Sequence, residues 1–232
     1  MKTKIFNLVI ALVVLVISII VIIPLPDIVP THFDIHGVAD AWGSKWTLLL
    51  SPAIMFIMWC FWLKVDKSYD KLISSEDEKV RAEAIANRRV INITSIATSF
   101  IFVAVSFFTF YSSISQIEGG DVREIDILKW IAVVMGISFA FLGNIMPKSR
   151  NNPNVGFRLP WTMYNDVTWY KCNRVGGISM MVSGVVIALC GLILSGTSAM
   201  IAFMAVVTLN ILFLTVYAYL VYRKERANEK ES

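Results

Sequence analysis

Six long stretches of the chain are almost continuously apolar, and polar segments separate them. Each is 18 to 24 residues long, and they lie at residues 5–23, 46–63, 90–113, 127–146, 175–194 and 199–222. An α-helix needs about 20 mostly apolar residues to cross the hydrocarbon core of a bilayer. Because backbone amide groups in lipid must find hydrogen-bond partners within the chain, these stretches predict six membrane-spanning helices. The expected fold class is an all-α, multi-pass membrane protein.

The loops between these stretches differ strongly in their content of lysine and arginine. The N-terminus carries two, the second loop (64–89) seven, the fourth loop (148–174) five and the tail (223–230) four, whereas the opposite side carries three. By the positive-inside rule, this alternation predicts that both termini are cytoplasmic. Pro24-Leu25-Pro26 follows the first stretch where a signal peptide would have a small-residue cleavage site, so a retained helix is expected.

Composition supports a membrane protein and excludes two other classes. Of the 232 residues, 56% are hydrophobic and only 16% are charged, which is the opposite of the composition that intrinsic disorder requires. The three cysteines lie in or beside apolar stretches, so they predict reduced thiols and not a disulfide scaffold. The net charge of +4 is explained by the topology and gives no support for nucleic-acid binding.

The first loop on the outer side (24–45) is rich in proline and glycine, which predicts an irregular segment. Its polar side chains form a candidate outer binding surface, with His32, Asp34, His36 and Asp40 as its members. Nitrogen and oxygen donors of these types also suit zinc. No helix is expected there to align the two histidines, so no metal site is predicted.

The second loop is expected to be helical, as an extension of the third membrane helix. Ser75 and Glu78 have the spacing of a capping box, which predicts the start of that helix. Two interpretations of the extension stay open: a solvated helix with no further role, or a docking surface for a cytoplasmic partner.

The fourth loop contains the densest pattern of polar and aromatic residues in the chain. Its candidate site residues are Asn154, Gly156, Arg158, Pro160, Trp161, Thr162 and Trp169. Pro160 fixes its own φ and restricts the preceding residue, which favours a rigid turn, and Asn165 is expected to cap the following helix. Two interpretations stay open: an interfacial anchor, with Trp161 and Trp169 at the level of the lipid headgroups, or a specific contact site.

The chain lacks the sequence patterns of the common catalytic sites. It contains no HExxH, Walker or GxSxG motif, and no ionisable residue lies in the inner part of any apolar stretch. Ion-coupled transporters usually place ionisable groups at membrane depth. Asn210, in the sixth stretch, is expected to bond a neighbouring helix, and the small residues of the fifth stretch predict close helix packing. No enzymatic activity and no cofactor are predicted.

Two segments together resemble a known family. The fourth-loop residues Asn154 to Thr162, followed by Trp169, resemble the SdpI family of bacterial membrane immunity proteins. The first outer loop resembles a short domain of unknown function that often precedes that family, through Leu25-Pro26, Pro30-Thr31-His32-Phe33, Gly37, Asp40 and Gly43-Ser44-Lys45. The resemblance implies two domains, an N-terminal two-helix segment at 1–65 and a four-helix membrane domain at 66–232.

The resemblance also implies a function. The best-known member of the family protects a bacterium from its own secreted peptide toxin and captures an ArsR-type repressor at the membrane. For this chain it implies an immunity and signal-transduction protein of the bacterial plasma membrane. Its partners would be membrane lipids, a peptide toxin sensed at the outer surface and a cytoplasmic repressor docked on the cytoplasmic loops. Relatives often carry histidine shortly after the second tryptophan, where this chain has Asn173, so no role of that histidine is carried over.

Two other functions follow from the residues alone. One alternative is a small transporter or exporter of a peptide or a lipid-like compound. It needs a polar path, for which Asn210, Thr208, Thr94 and Thr98 are the only indications. A membrane enzyme acting on lipid headgroups through Arg158 and the acids of the first outer loop is excluded, because those groups are predicted on opposite faces.

Overall fold

The structure, a computed structural model, describes residues 2–34, 38–117, 126–152 and 154–231. Within these residues, six helices are long and apolar enough to cross a membrane. They are α1 (Lys2–Ile22), α2 (Leu50–Ile73), α3 (Glu78–Ile117), α4 (Ile127–Ile145), α5 (Asp166–Ile193) and α6 (Gly196–Glu231). Short 3₁₀ helices precede α2 (Lys45–Leu49) and follow α4 (Met146–Lys148). The prediction of an all-α, six-helix membrane protein is confirmed.

Helices α4 and α5 approach each other closely enough for their backbones to touch. A Cβ atom added at Gly136 would lie 2.6 Å from the backbone oxygen of Gly184, and one added at Gly143 would lie 2.6 Å from that of Gly177. Only glycine permits this approach, which is the usual way in which membrane helices gain packing contacts. The close packing predicted from the small residues of the fifth stretch is confirmed.

The outer faces of the bundle are apolar. Large hydrophobic side chains on α6 are more than half exposed, including Ile201, Leu209 and Leu220. In a soluble protein such a surface would associate or aggregate. Around a bundle of helices that are long enough to span a bilayer, it is the surface that faces lipid.

The first outer loop folds into an antiparallel β-hairpin, so the prediction of an irregular segment was wrong. Strand β1 (Ile28–Phe33) pairs with β2 (Ala39–Ser44), with Ile28 opposite Ser44. Pro30 is tolerated because each strand of a two-stranded ribbon has an unpaired edge. An isolated hairpin is marginally stable. This one is supported where Val29 packs with Ile22 and Leu48 in a buried apolar cluster.

We call the opposite end of the bundle the basic end. It consists of the N-terminus of α1, the turn between α2 and α3, the fourth loop and the C-terminal part of α6. Here Arg88 donates from Nε and Nη2 to the two carboxylate oxygens of Asp66, at 2.8 Å each. Lys4 contacts the same carboxylate, and Arg88 also contacts Asp70. These ion pairs join α1, α2 and α3 at one point.

Helix α3 begins at Glu78 and extends the third membrane helix, as predicted for the second loop. Its cap is different from the expected one. The Asp77 carboxylate accepts hydrogen bonds from the backbone N–H groups of Lys79 and Val80, while the Ser75 hydroxyl accepts from Asp77 N. Asp77, which also places a negative charge at the helix N-terminus, therefore takes the capping position that was assigned to Ser75.

Candidate functional site

Near the start of the fourth loop, the side chain of Asn152 forms hydrogen bonds with the surrounding backbone. The Asn152 carbonyl oxygen accepts hydrogen bonds from the N–H groups of Asn154 and Val155, both at 2.8 Å, and its amide group donates to the carbonyls of Arg150 and Val155. Asn152 is buried. Asn154 reaches away from the loop and donates to the Tyr69 hydroxyl of α2 at 3.0 Å. The first motif residue therefore ties the loop to the N-terminal half of the bundle.

Gly156 occupies a position that no other residue fits easily. Its φ is +129°, and an added Cβ would lie 2.6 Å from Asn173 Oδ1 and 2.8 Å from the Trp169 ring. Asn173, which is 1% exposed, accepts a hydrogen bond from Phe157 N at 2.7 Å and donates to Trp169 O at 3.1 Å. The Asn173 side chain thus fastens the loop to α5 at the point where the backbone takes its unusual conformation.

Two threonines close the second half of the loop. The Thr162 hydroxyl, fully buried, accepts from Leu159 N at 2.8 Å and lies 2.8 Å from the Phe157 carbonyl. The Thr168 hydroxyl contacts the Thr162 carbonyl. Asn165 caps α5 as predicted: its side chain accepts from Thr168 N, and the Thr168 hydroxyl accepts from Asn165 N. The turn around Pro160 is therefore held by buried side-chain hydrogen bonds.

The two motif tryptophans lie in different environments. Trp169 is only 2% exposed and donates from Nε1 to the Ser149 carbonyl at 3.0 Å. The loop folds over Trp169 and makes it part of the core, so its ring is not an exposed anchor among lipid headgroups. Trp161 is half-buried and packs edge-on against Tyr219 of α6, with ring centroids 5.9 Å apart.

Arg158 is the motif side chain that the loop leaves free. It is exposed, and it forms no hydrogen bond or ion pair with any residue that the structure describes. Pro160, two residues later, is also exposed. The rest of the motif fixes the backbone on both sides of Arg158 and so holds its guanidinium outward.

The C-terminal part of α6 packs against the same loop. Glu229 accepts hydrogen bonds from the Tyr164 hydroxyl at 2.5 Å and from Asn165 Nδ2 at 3.0 Å, and Lys171 pairs with Glu225 at 2.6 Å. The hydrogen bond to the Glu229 carboxylate raises the pKa of Tyr164. The tail is therefore folded onto the site and extends its surface.

A polar cleft of about 600 Å³ separates the fourth loop from the extension of α3. Basic side chains of both elements line it, namely Lys79, Lys148 and Arg150, together with the acids Glu83 and Asp166. Lys79 and Asp166 face each other across the cleft at 3.5 Å. Arg150 is positioned from within the protein, because its backbone N–H donates to the buried Asn87 side chain at 2.8 Å.

The outer candidates lie at the other end of the bundle, in or beside the hairpin. His32 Nδ1 and Asp40 Oδ1 are 2.6 Å apart across the two strands, and both side chains are exposed. Asp34, just after β1, accepts a hydrogen bond from the N–H of Val38, just before β2, at 2.9 Å. His36 lies outside the described residues. Among those that are described, no group of three His, Cys, Asp or Glu side chains is placed to hold a metal ion.

The polar residues at membrane depth bond within the bundle. Asn210 donates from its amide group to the hydroxyls of Ser179 and Ser183 on α5, both at 2.6 Å, which confirms the predicted contact with a neighbouring helix. Thr94 and Thr98 bond the carbonyl oxygens one turn earlier in α3. Three of the four polar side chains that suggested a transport path therefore have partners in the bundle. Asn210 bonds a neighbouring helix, and Thr94 and Thr98 bond carbonyl groups of their own helix.

Sequence reasoning missed the residues that hold the site together. Asn87, Asn152 and Asn173 each satisfy backbone groups of the fourth loop or its neighbours, and none of them was predicted as part of the site. A signal was available for Asn152, since a buried loop needs side-chain partners for its backbone and this loop is rich in asparagine. Asn87 lies 63 residues from its partner, and nothing local marks it.

Comparison with known proteins finds two family models and a relative that match the sequence. Residues 148–218 match the SdpI/YfhL protein family, and residues 9–56 match a domain of unknown function, DUF1648. The chain is 23% identical over 225 residues to the Immunity protein SdpI of Bacillus subtilis (strain 168), and the similarity covers 97% of this chain and 98% of that protein. No solved structure matches the chain.

The family match covers the fourth loop and part of what surrounds it. It begins at the first residue of the fourth loop, includes all of α5 and ends within α6, before Glu225 and Glu229. The family resemblance that the motif predicted is confirmed, and so is the preceding short domain. Residues 148–218 are thus similar to the SdpI/YfhL protein family, and the similarity to its relative together with the six long apolar helices supports a multi-pass protein of the bacterial plasma membrane.

Proposed function

We propose that this chain is a membrane immunity protein that protects a bacterium from a secreted antimicrobial peptide. The observation that carries the proposal is its similarity, along 97% of its length, to a protein named for immunity. The arrangement of the basic end supports it. A binding surface needs a rigid backbone and an outward side chain, and the fourth loop provides both around Arg158.

We infer that the basic end faces the cytoplasm and that the hairpin faces outward. The support is the lysine and arginine count, together with the fold, which gathers the basic segments at one end. Single cysteines at Ala41 and at Glu76, in a background without native cysteines, test this orientation, since both positions are exposed. In intact cells an impermeant thiol reagent should label only position 41, and labelling of position 76 alone would reverse the topology.

Protection is expected without chemical change to the peptide. A sensitive bacterium expressing the chain should survive a membrane-active peptide toxin of the kind that the family's best-known member counters, and the peptide recovered from the medium should be intact. Survival with a cleaved or modified peptide would contradict the proposal and indicate an enzyme. Equal killing with and without the chain would contradict immunity itself.

A finer proposal concerns a cytoplasmic partner. We propose that the cleft between α3 and the fourth loop docks a repressor of the ArsR type when toxin is present. Lys79 already pairs with Asp166, but Lys148 and Arg150 pair with no carboxylate among the described residues, and they favour an acidic surface on that partner. A fluorescently tagged repressor should move to the membrane after toxin exposure, and reversal of Lys148 and Arg150 to glutamate should abolish the movement. A repressor that stays soluble in the presence of the unaltered chain would refute capture and leave protection standing.

A further inference from the structure

A cavity of about 260 Å³ lies among α4, α5 and α6 and extends to Gly156 and Phe157 of the fourth loop. Phe139 of α4, Met180 of α5 and Val207 of α6 contribute to its walls, and Phe157 of the fourth loop borders it at one end. The cavity therefore joins the interior of three membrane helices to the backbone next to Arg158.

The interior of this cavity suits an apolar occupant. Its polar wall residues are Asn210 and Ser183, and they bond each other at 2.6 Å. A buried water typically needs two to four polar partners, and apolar cavities of about 150 Å³ stay dry and take up small hydrophobic molecules. A larger cavity with these walls suits a hydrocarbon occupant better than water.

The cavity is continuous with the surface that faces lipid. Ile211 lines it and is at the same time 56% exposed, and its neighbour Leu212 is 58% exposed. The medium at the mouth is therefore bilayer hydrocarbon. We propose that the cavity binds one acyl chain of a membrane lipid and that this chain supports the fourth loop from the membrane side.

The support acts on the part of the loop that carries the motif. A chain that fills the cavity contacts Phe157, whose backbone N–H is held by Asn173 at 2.7 Å. The Asn173 side chain also lies against Gly156, the residue at which the backbone has a positive φ. A bound acyl chain thus stabilises the loop conformation in which Arg158 points outward. In this way the lipid affects the binding surface at the basic end.

The test is photolabelling of the full chain in vesicles. The purified protein is reconstituted into phosphatidylglycerol and phosphatidylethanolamine vesicles that contain a phospholipid with a diazirine in its acyl chain, irradiated and analysed by mass spectrometry. Adducts are expected on Met180 and Phe157. Val207→Phe, which fills the cavity from its wall, should reduce those adducts at least fivefold. Leu209→Phe is the matched control, because Leu209 is 67% exposed and does not line the cavity.

A second filling variant keeps the test decisive if Val207→Phe fails to fold. Ile211→Phe narrows the mouth at a half-exposed position and should give the same reduction. Adducts confined to outward-facing side chains would overturn the proposal, and so would adducts at Met180 and Phe157 that persist in both filling variants. Labelling of those residues by a photoreactive hydrophobic peptide, but not by the lipid, would overturn it in favour of a peptide site.

Discussion

The hairpin at one end of the molecule and the fourth loop at the other are both rich in proline, glycine and polar side chains, yet they are held by different bonds. The hairpin rests on backbone pairing, a small apolar cluster, the exposed pair of His32 and Asp40, and a buried hydrogen bond that Ser113 of α3 donates to the Pro30 carbonyl. The fourth loop rests on buried side chains, Asn152, Thr162 and Asn173, that bond its backbone directly. Removing a side chain should therefore lower the free energy of unfolding only slightly in the hairpin and substantially in the fourth loop.

This difference also separates structural from exposed residues within the motif. Asn154, Thr162 and Trp169 are engaged inside the protein, and Gly156 is required by the backbone. Arg158 alone among the polar motif residues points away from all described partners. Most residues of the motif therefore stabilise the fold of the fourth loop, and only Arg158 exposes a polar side chain that is free to bind a partner.

The largest contrast is expected between two glycines. Gly156→Ala forces a side chain into a positive φ and against Asn173 and Trp169, and overpacking together with backbone strain should lower the free energy of unfolding by about 3 kcal/mol. Gly43→Ala in β2 meets only Thr31 Cγ2 at 3.2 Å and should cost under about 1 kcal/mol. Denaturant titration of both variants in detergent measures the difference. Equal losses would show that the fourth loop is no more constrained than the hairpin.

A smaller contrast is expected between two side chains that each accept a hydrogen bond from the backbone. Asn173→Ala removes a buried side chain and leaves the N–H of the half-buried Phe157 without its partner, which should destabilise the protein by about 2 kcal/mol. Asp34→Ala removes a comparable bond to Val38 N between the two strands, at an exposed position where water can replace it, and should cost less, under about 1 kcal/mol. The same titration checks both values, and a larger loss for the hairpin variant would reverse the comparison.

The smallest effect is expected at the exposed pair. Asp40→Asn removes the negative charge from the contact with His32, and because both side chains are exposed the loss should stay below about 1 kcal/mol. This variant therefore separates stability from recognition at the outer surface. If the hairpin senses toxin, as predicted for its polar residues, protection should fall while the melting temperature of the purified protein stays within a few degrees. Unchanged protection would remove Asp40 from the outer candidates.

The sequence predicted the features that depend on long apolar runs and on neighbouring residues. The six helices follow from runs of about 20 apolar residues, and the cap of α5 follows from Asn165 and Thr168, three positions apart. The hairpin was missed because its proline and glycine content resembles that of an irregular loop, while its support comes from Ile22 and Leu48 outside the strands.

Features that depend on distant partners were not predictable in this way. Trp169 was expected at the headgroups because tryptophan is common there. Its burial depends on the fourth loop folding back so that Ser149 accepts its N–H from 20 residues away. The division of the chain at residue 65 stays a prediction.

The most direct test of the proposed role of the fourth loop is the variant Arg158→Lys, with Arg89→Lys as its control. Both arginines are exposed and without partners among the described residues, so neither change should alter folding or the amount of protein in the membrane. Lysine keeps the charge but cannot make the planar two-pronged contact that arginine makes with a carboxylate or a carbonyl. Survival of toxin-challenged cells should therefore be lost in Arg158→Lys and kept in Arg89→Lys, at equal protein levels. Full protection by Arg158→Lys would contradict a specific contact and leave the fourth loop as a membrane-surface anchor.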